Sequence, residues 1–80
     1  MFTRILTYDL KYAKSDDYED LYKFLSSVKA KKLTESSYMI KTSMKWDDFK
    51  TKIRSITKSG DNIKAVVLNK DSQLDVFDIR

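Results

Sequence analysis

Asp9 is the first residue of this chain placed to do chemistry. Phe2-Thr3-Arg4-Ile5-Leu6-Thr7-Tyr8-Asp9-Leu10 alternates and is rich in β-branched and aromatic residues, so it reads as a strand that delivers Asp9 to its C-terminal end. A carboxylate there suits a hard cation such as magnesium, which takes one or two carboxylates with waters and substrate phosphates. The ion would generate hydroxide and stabilise charge in phosphodiester cleavage. One aspartate per chain is a small ligand set, and a dimer would have to bring two copies of Asp9 together. The plainer reading is that Asp9 caps the strand end or the loop after it, and both roles stay open. Asp75 and Asp78 would join a metal site only if the last strand lay near Asp9.

The second group is basic. Lys29, Lys31 and Lys32, with Lys11, Lys14 and Lys41, are candidates for phosphate contacts, which are independent of sequence and sensitive to salt. The competing reading is a solvated edge on which lysines oppose strand-to-strand association. Tyr8, Tyr12, Tyr18, Tyr22 and Tyr38 offer rings for base stacking, but Tyr18 and Tyr22 fit a helix core or a dimer contact better. Other chemistries are excluded. With no histidine and no cysteine the chain has no Ser-His-Asp triad, no usual zinc site, no imidazole base and no disulfide. No glycine-rich phosphate loop is present.

These residues must be positioned by a small chain. Its 80 residues make one domain, spanning 1–80. A domain this size buries only ~60–65% of the surface its unfolded chain exposes, which makes dimerisation the available way to add core. The net charge is +4, unevenly spread. Residues 9–20 carry five acids against Lys11 and Lys14, whereas residues 23–58 carry ten bases against Glu35, Asp47 and Asp48. That asymmetry points to a polyanionic partner, against the plainer reading of solubility charges. No apolar run has the ~18 residues of a membrane span, and a soluble cytoplasmic protein is the expectation.

The elements follow in order. Asp16 with Glu19 forms a capping-box pattern ahead of a first helix, whose stripe is Tyr18, Leu21, Tyr22, Leu25 and Val28. Lys31 to Thr42 is strand, either long and bent or broken near Glu35-Ser36. Ser43 is the expected cap of a second helix with the stripe Trp46, Phe49, Ile53 and Ile56, and Gly60 suits a left-handed C-cap after it. Lys64 to Leu68 reads as a buried-type strand, Asn69 to Ser72 as a turn, and Leu74 to Ile79 as a last strand. The sum is an α+β chain, a ferredoxin-like split β-α-β with two helices on one face of an antiparallel sheet and an extra C-terminal strand.

At Leu6-Thr7-Tyr8-Asp9-Leu10 and again at Glu35-Ser36-Ser37-Tyr38-Met39 the chain resembles the small ferredoxin-like subunit of CRISPR spacer acquisition, whose fold the VapD-like ribonucleases share. The resemblance covers the whole layout, but its motifs cover about a dozen residues. It implies a homodimer formed through the open sheet face, often with the last strand crossing to the partner. Tyr8, Leu74, Val76 and Phe77 would then be dimer contacts. It further implies duplex DNA binding as a scaffold and, in some members, a magnesium-dependent nuclease with Asp9 as ligand and catalytic residue. The loop after Asp9 carries acids where many members have bases, and the chain is slightly short. A stand-alone relative from a phage or mobile element fits these departures.

Three functions therefore stand beside one another. The first is a homodimeric scaffold binding DNA or RNA. The second is a metal-dependent nuclease. The third is a protein-interaction module, such as a small inhibitor of a host protein.

Overall fold

The computed structural model describes residues 2–11, 18–68 and 71–80. They form β1 (Phe2–Asp9), α1 (Glu19–Ser27), β2 (Lys31–Thr34), β3 (Ser37–Thr42), α2 (Trp46–Ser55), β4 (Asn62–Leu68) and β5 (Leu74–Asp78). The five strands make one sheet in the order β2-β3-β1-β4-β5, with every neighbouring pair antiparallel. This α+β arrangement is compatible with a ferredoxin-like fold. Among the described residues no helix is long and apolar enough to cross a membrane.

The alternation of β1 decides which side of the sheet is covered. Arg4, Leu6 and Tyr8 are buried, whereas Thr3 and Asp9 are exposed and Ile5 and Thr7 half-buried. Leu6 and Tyr8 join Ile40 of β3, Ile63 and Ala65 of β4, and residues of both helices in one hydrophobic cluster. Both helices thus cover the same face. Leu6, Leu21, Ile40, Phe49, Ile53, Ala65 and Ile79 are completely enclosed. Each of the large ones contributes about 1.5–3 kcal/mol by leaving water.

The helices depart from expectation in detail. In α1 the inward residues are Leu21, Phe24 and Leu25, and Tyr22 is exposed. A stripe centred on Leu21 leaves Tyr22 about 100° away, while Phe24 returns to the buried side. Tyr18 occupies the N-cap without a side-chain capping bond, and the expected cap Asp16 lies outside the described residues. In α2 the N-cap is Lys45, again without a side-chain bond, so Ser43 is not the cap. Instead the Met44 N–H donates to Thr42 Oγ1 at 3.1 Å, which holds the chain extended until α2 begins. Phe49 and Ile53 are the buried part of its stripe. Gly60 has φ +97° but lies beyond the helix C-cap, Ile56, in the loop that leads to β4.

The break near Glu35-Ser36 is a hairpin turn between β2 and β3. Thr34 Oγ1 accepts from the Ser36 N–H at 3.2 Å and shares a 2.8 Å hydrogen bond with Ser37 Oγ. These hydroxyls supply the turn that an Asn-Gly pair would otherwise make. The last strand pairs with β4 of its own chain. Its end is fastened by the Ile79 N–H to the Ile63 carbonyl at 2.8 Å and by Arg54 Nε to the Ile79 carbonyl at 2.7 Å.

Candidate interface on the open sheet face

The face away from the helices is built by the residues between the core positions. The strand registers place Lys31, Met39, Ile5, Val66 and Val76 in one row across all five strands. A second row runs Ser37, Thr7, Lys64 and Asp78, and Leu68 pairs with Leu74 at the β4–β5 end. None of the apolar residues in these rows belongs to the core cluster or packs against it. Leu68, Leu74 and Val76 are each more than 60% exposed. Single exposed apolar residues need no explanation, but a contiguous apolar band is a candidate interaction surface. The strand positions facing this side carry no aromatic ring among the described residues, so base stacking has no platform here.

Asp9 lies at the edge of this face, exposed and opposite Asn62 of β4. With Thr7, Tyr8, Asn62 and Lys64 it lines a shallow hollow of about 140 Å³. Asp78 is on the same face, but β4 stands between β5 and β1, and Lys64 holds its carboxylate in an ion pair. Asp75 points to the helix side, opposite Val67. Neither Asp75 nor Asp78 is therefore beside Asp9, and the described residues contain no group of three potential metal ligands.

The lysines divide. Lys31 and Lys41 share the open face, opposite Met39 and Thr3. Lys32 is opposite Tyr38, on the helix side, and pairs with Glu35 at 3.2 Å. Lys29 takes a left-handed φ of 54° just before β2. Lys11 lies beyond the end of β1, its side chain against Gly60. Lys14 and Tyr12 fall outside the described residues. Of the residues expected at a dimer contact, Leu74 and Val76 stand on the open face, and Phe77 turns to the helix side against Trp46, ring centres 5.1 Å apart. Tyr8 is 7% exposed within the core and stacked on Tyr38 at 6.3 Å, so it presents no surface to a partner.

Tyr8 carries its own cost. Its hydroxyl is sealed from solvent and makes no hydrogen bond of ordinary geometry, with the Tyr38 hydroxyl its nearest candidate. Burial pushes its pKa up, and the neighbouring Tyr38, Tyr22 and Glu35 add to the effect.

Sequence reasoning overlooked Asp61. It is buried, and it accepts from the Lys11 N–H at 2.8 Å, the Tyr18 hydroxyl at 2.7 Å and the Lys58 N–H at 2.8 Å. One carboxylate thus ties the exit of β1, the start of α1 and the loop after α2. Burial alone would raise its pKa, but these three donors and the charge of Arg80 outweigh it and hold the group below the usual aspartate range. The only available signal was a lone aspartate after the chain's one glycine, a pattern common to many ordinary turns.

No protein-family model, curated protein sequence or solved structure matches this chain.

Proposed function

We propose that this chain acts as a homodimer closed through its open sheet face, and that the pair serves as a scaffold for nucleic acid. In this reading the fold is a ferredoxin-like split β-α-β with β5 appended. The band formed by Met39, Ile5, Val66 and Val76, continued by Leu68 and Leu74, supports it best. Two copies of this apolar band would cover one another by the two-fold pairing that most small oligomers use. Lys31 and Lys41 border the band, with Lys29 and Lys32 along the β2 edge, so two protomers double a cationic rim suited to phosphates. A catalytic role would need the pairing to bring both copies of Asp9 together around magnesium.

A second reading is favoured by the missing aromatic platform: the same band receives a host protein, and the chain is an interaction module. Light scattering on the eluting protein, with and without a short duplex at low and high salt, separates the two. The scaffold reading expects a dimer that binds the duplex at low salt only, and a monomer from Val76→Asp. A dimer indifferent to DNA and RNA moves the function to a protein partner. A wild-type monomer overturns the homodimer.

A further inference from the structure

The N-terminal half of β1 carries a buried cation that the open face does not use. Arg4 is 4% exposed, on the helix side of the sheet. Its guanidinium carbon lies 4.8 Å from the Phe49 ring centre, 4.9 Å from Phe2 and 5.6 Å from Trp46. Nη1 donates to the Met44 carbonyl at 2.8 Å. No ion pair among the described residues includes Arg4. Burial pulls its pKa down, yet a guanidinium remains charged at neutral pH.

Enclosing a cation without a counter-charge is costly, and aromatic faces offset only part of that cost. A guanidinium has five N–H donors, and ring faces satisfy none of the in-plane ones. No Arg4 nitrogen is among the side-chain atoms found both sealed and unpartnered in the described residues. Arg4 borders a groove of about 480 Å³, with Phe2, Thr3, Trp46, Val67, Leu68 and Phe77 as the other lining residues. That volume lies within the range of small-ligand sites, about 300–1,000 Å³. Asp47 and Asp48, in the first turn of α2, are exposed and do not line it. Asp75 is in register with Arg4 but sits one strand beyond Val67.

We propose that this groove binds a small aromatic oxyanion, its carboxylate or phosphate on Arg4 and its ring among Phe2, Trp46 and Phe77. A planar carboxylate or a phosphate matches the guanidinium fork, and a flat ring matches the three aromatic walls. The groove lies mainly on the helix side, and of the residues in the proposed dimer band only Leu68 lines it.

Titration of the full chain followed by amide and Trp46 indole resonances tests it, because Trp46 is the only tryptophan. Phenylacetate and phenyl phosphate are the probes. Benzyl alcohol supplies the ring without the charge, and acetate and inorganic phosphate supply the charge without the ring. The expected result is a saturable shift centred on Trp46 and Phe77, with at least one probe about tenfold tighter than every control. Arg4→Gln weakens it about tenfold or more, the loss of a charge-assisted contact. Phe77→Ala, at a ring 41% exposed, weakens it while leaving the spectrum folded, and it carries the test if Arg4→Gln does not fold. Preference for phenyl phosphate assigns the site to phosphate-bearing aromatics such as nucleotides, and preference for phenylacetate to aromatic acids. Absence of a saturable shift, controls as tight as the probes, or affinity unchanged in Phe77→Ala would overturn the proposal.

Discussion

Replacing Asp61 by asparagine tests whether a single carboxylate holds three segments together. The change keeps the shape and one carbonyl oxygen, which can still accept from the Lys11 N–H and the Tyr18 hydroxyl that now share Oδ1. The amide nitrogen then faces the Lys58 N–H, which donates to Oδ2 in the native chain, and two donors meet. An unsatisfied buried donor costs about 1–3 kcal/mol, and the two surviving bonds lose their charge assistance. The expected loss is about 2–3 kcal/mol at neutral pH. A chain of 80 residues has roughly 4–12 kcal/mol in total at the usual per-residue stability, so the variant folds but melts roughly 8–24 °C lower. The pH dependence has a definite sign. Because the folded pKa is depressed, the unfolded chain binds the proton first as pH falls. The contribution of Asp61 is complete above the unfolded aspartate value of about 3.9 and is lost as pH drops through the lower folded value. Urea denaturation of both proteins at neutral pH and at successively lower pH reads the difference between them, which cancels the other carboxylates. A loss under about 0.5 kcal/mol at neutral pH, or a gap that widens on acidification, would refute the reasoning.

Other outcomes follow from single features. Tyr8→Phe removes a sealed hydroxyl without a well-formed hydrogen bond and should raise stability by about 1 kcal/mol in the same denaturation assay; a comparable loss would show that its contact with Tyr38 is a true hydrogen bond. Gly60→Ala forces an L residue to φ +97° and brings its Cβ within 2.7 Å of Lys11 Cδ; the lysine can swing aside, so the backbone strain of about 1–2 kcal/mol is the expected loss. If the dimer binds nucleic acid through the open-face rim, Lys31→Gln with Lys41→Gln should reduce the slope of log affinity against log salt by about two per protomer, read by fluorescence anisotropy. Asp9→Ala, at an exposed strand end, should leave folding stability within about 0.5 kcal/mol, so any loss of magnesium-stimulated cleavage would be chemical and not structural.

Much of the architecture is legible in the sequence because local patterns carry it. Period-two alternation in Phe2–Asp9 separates the covered from the open face, and spacings of three and four in Trp46, Phe49 and Ile53 mark the inward side of α2. Boundaries were less legible. Ser43 has the right chemistry for a cap, but Thr42 takes the local hydrogen bond and α2 starts three residues after Ser43. Glu35-Ser36 lacks a glycine, and its turn depends on Thr34 and Ser37 meeting across the hairpin.

The candidate sites separate the two sources of information more sharply. Composition alone excludes histidine and thiol chemistry, and the position of Asp9 at a strand end is fixed by alternation. Whether other acids join Asp9 depends on strand order, and β4 lies between it and Asp78. The Arg4 groove needs Phe2, Trp46 and Phe77 from three elements, and the Asp61 tie needs Lys11, Tyr18 and Lys58 from three more positions along the chain. Periodicity reports which side of its own element a residue occupies, since that follows from backbone geometry a few residues long. Which residues meet across elements is set by packing and register over the whole sheet, and this the tertiary structure alone decided.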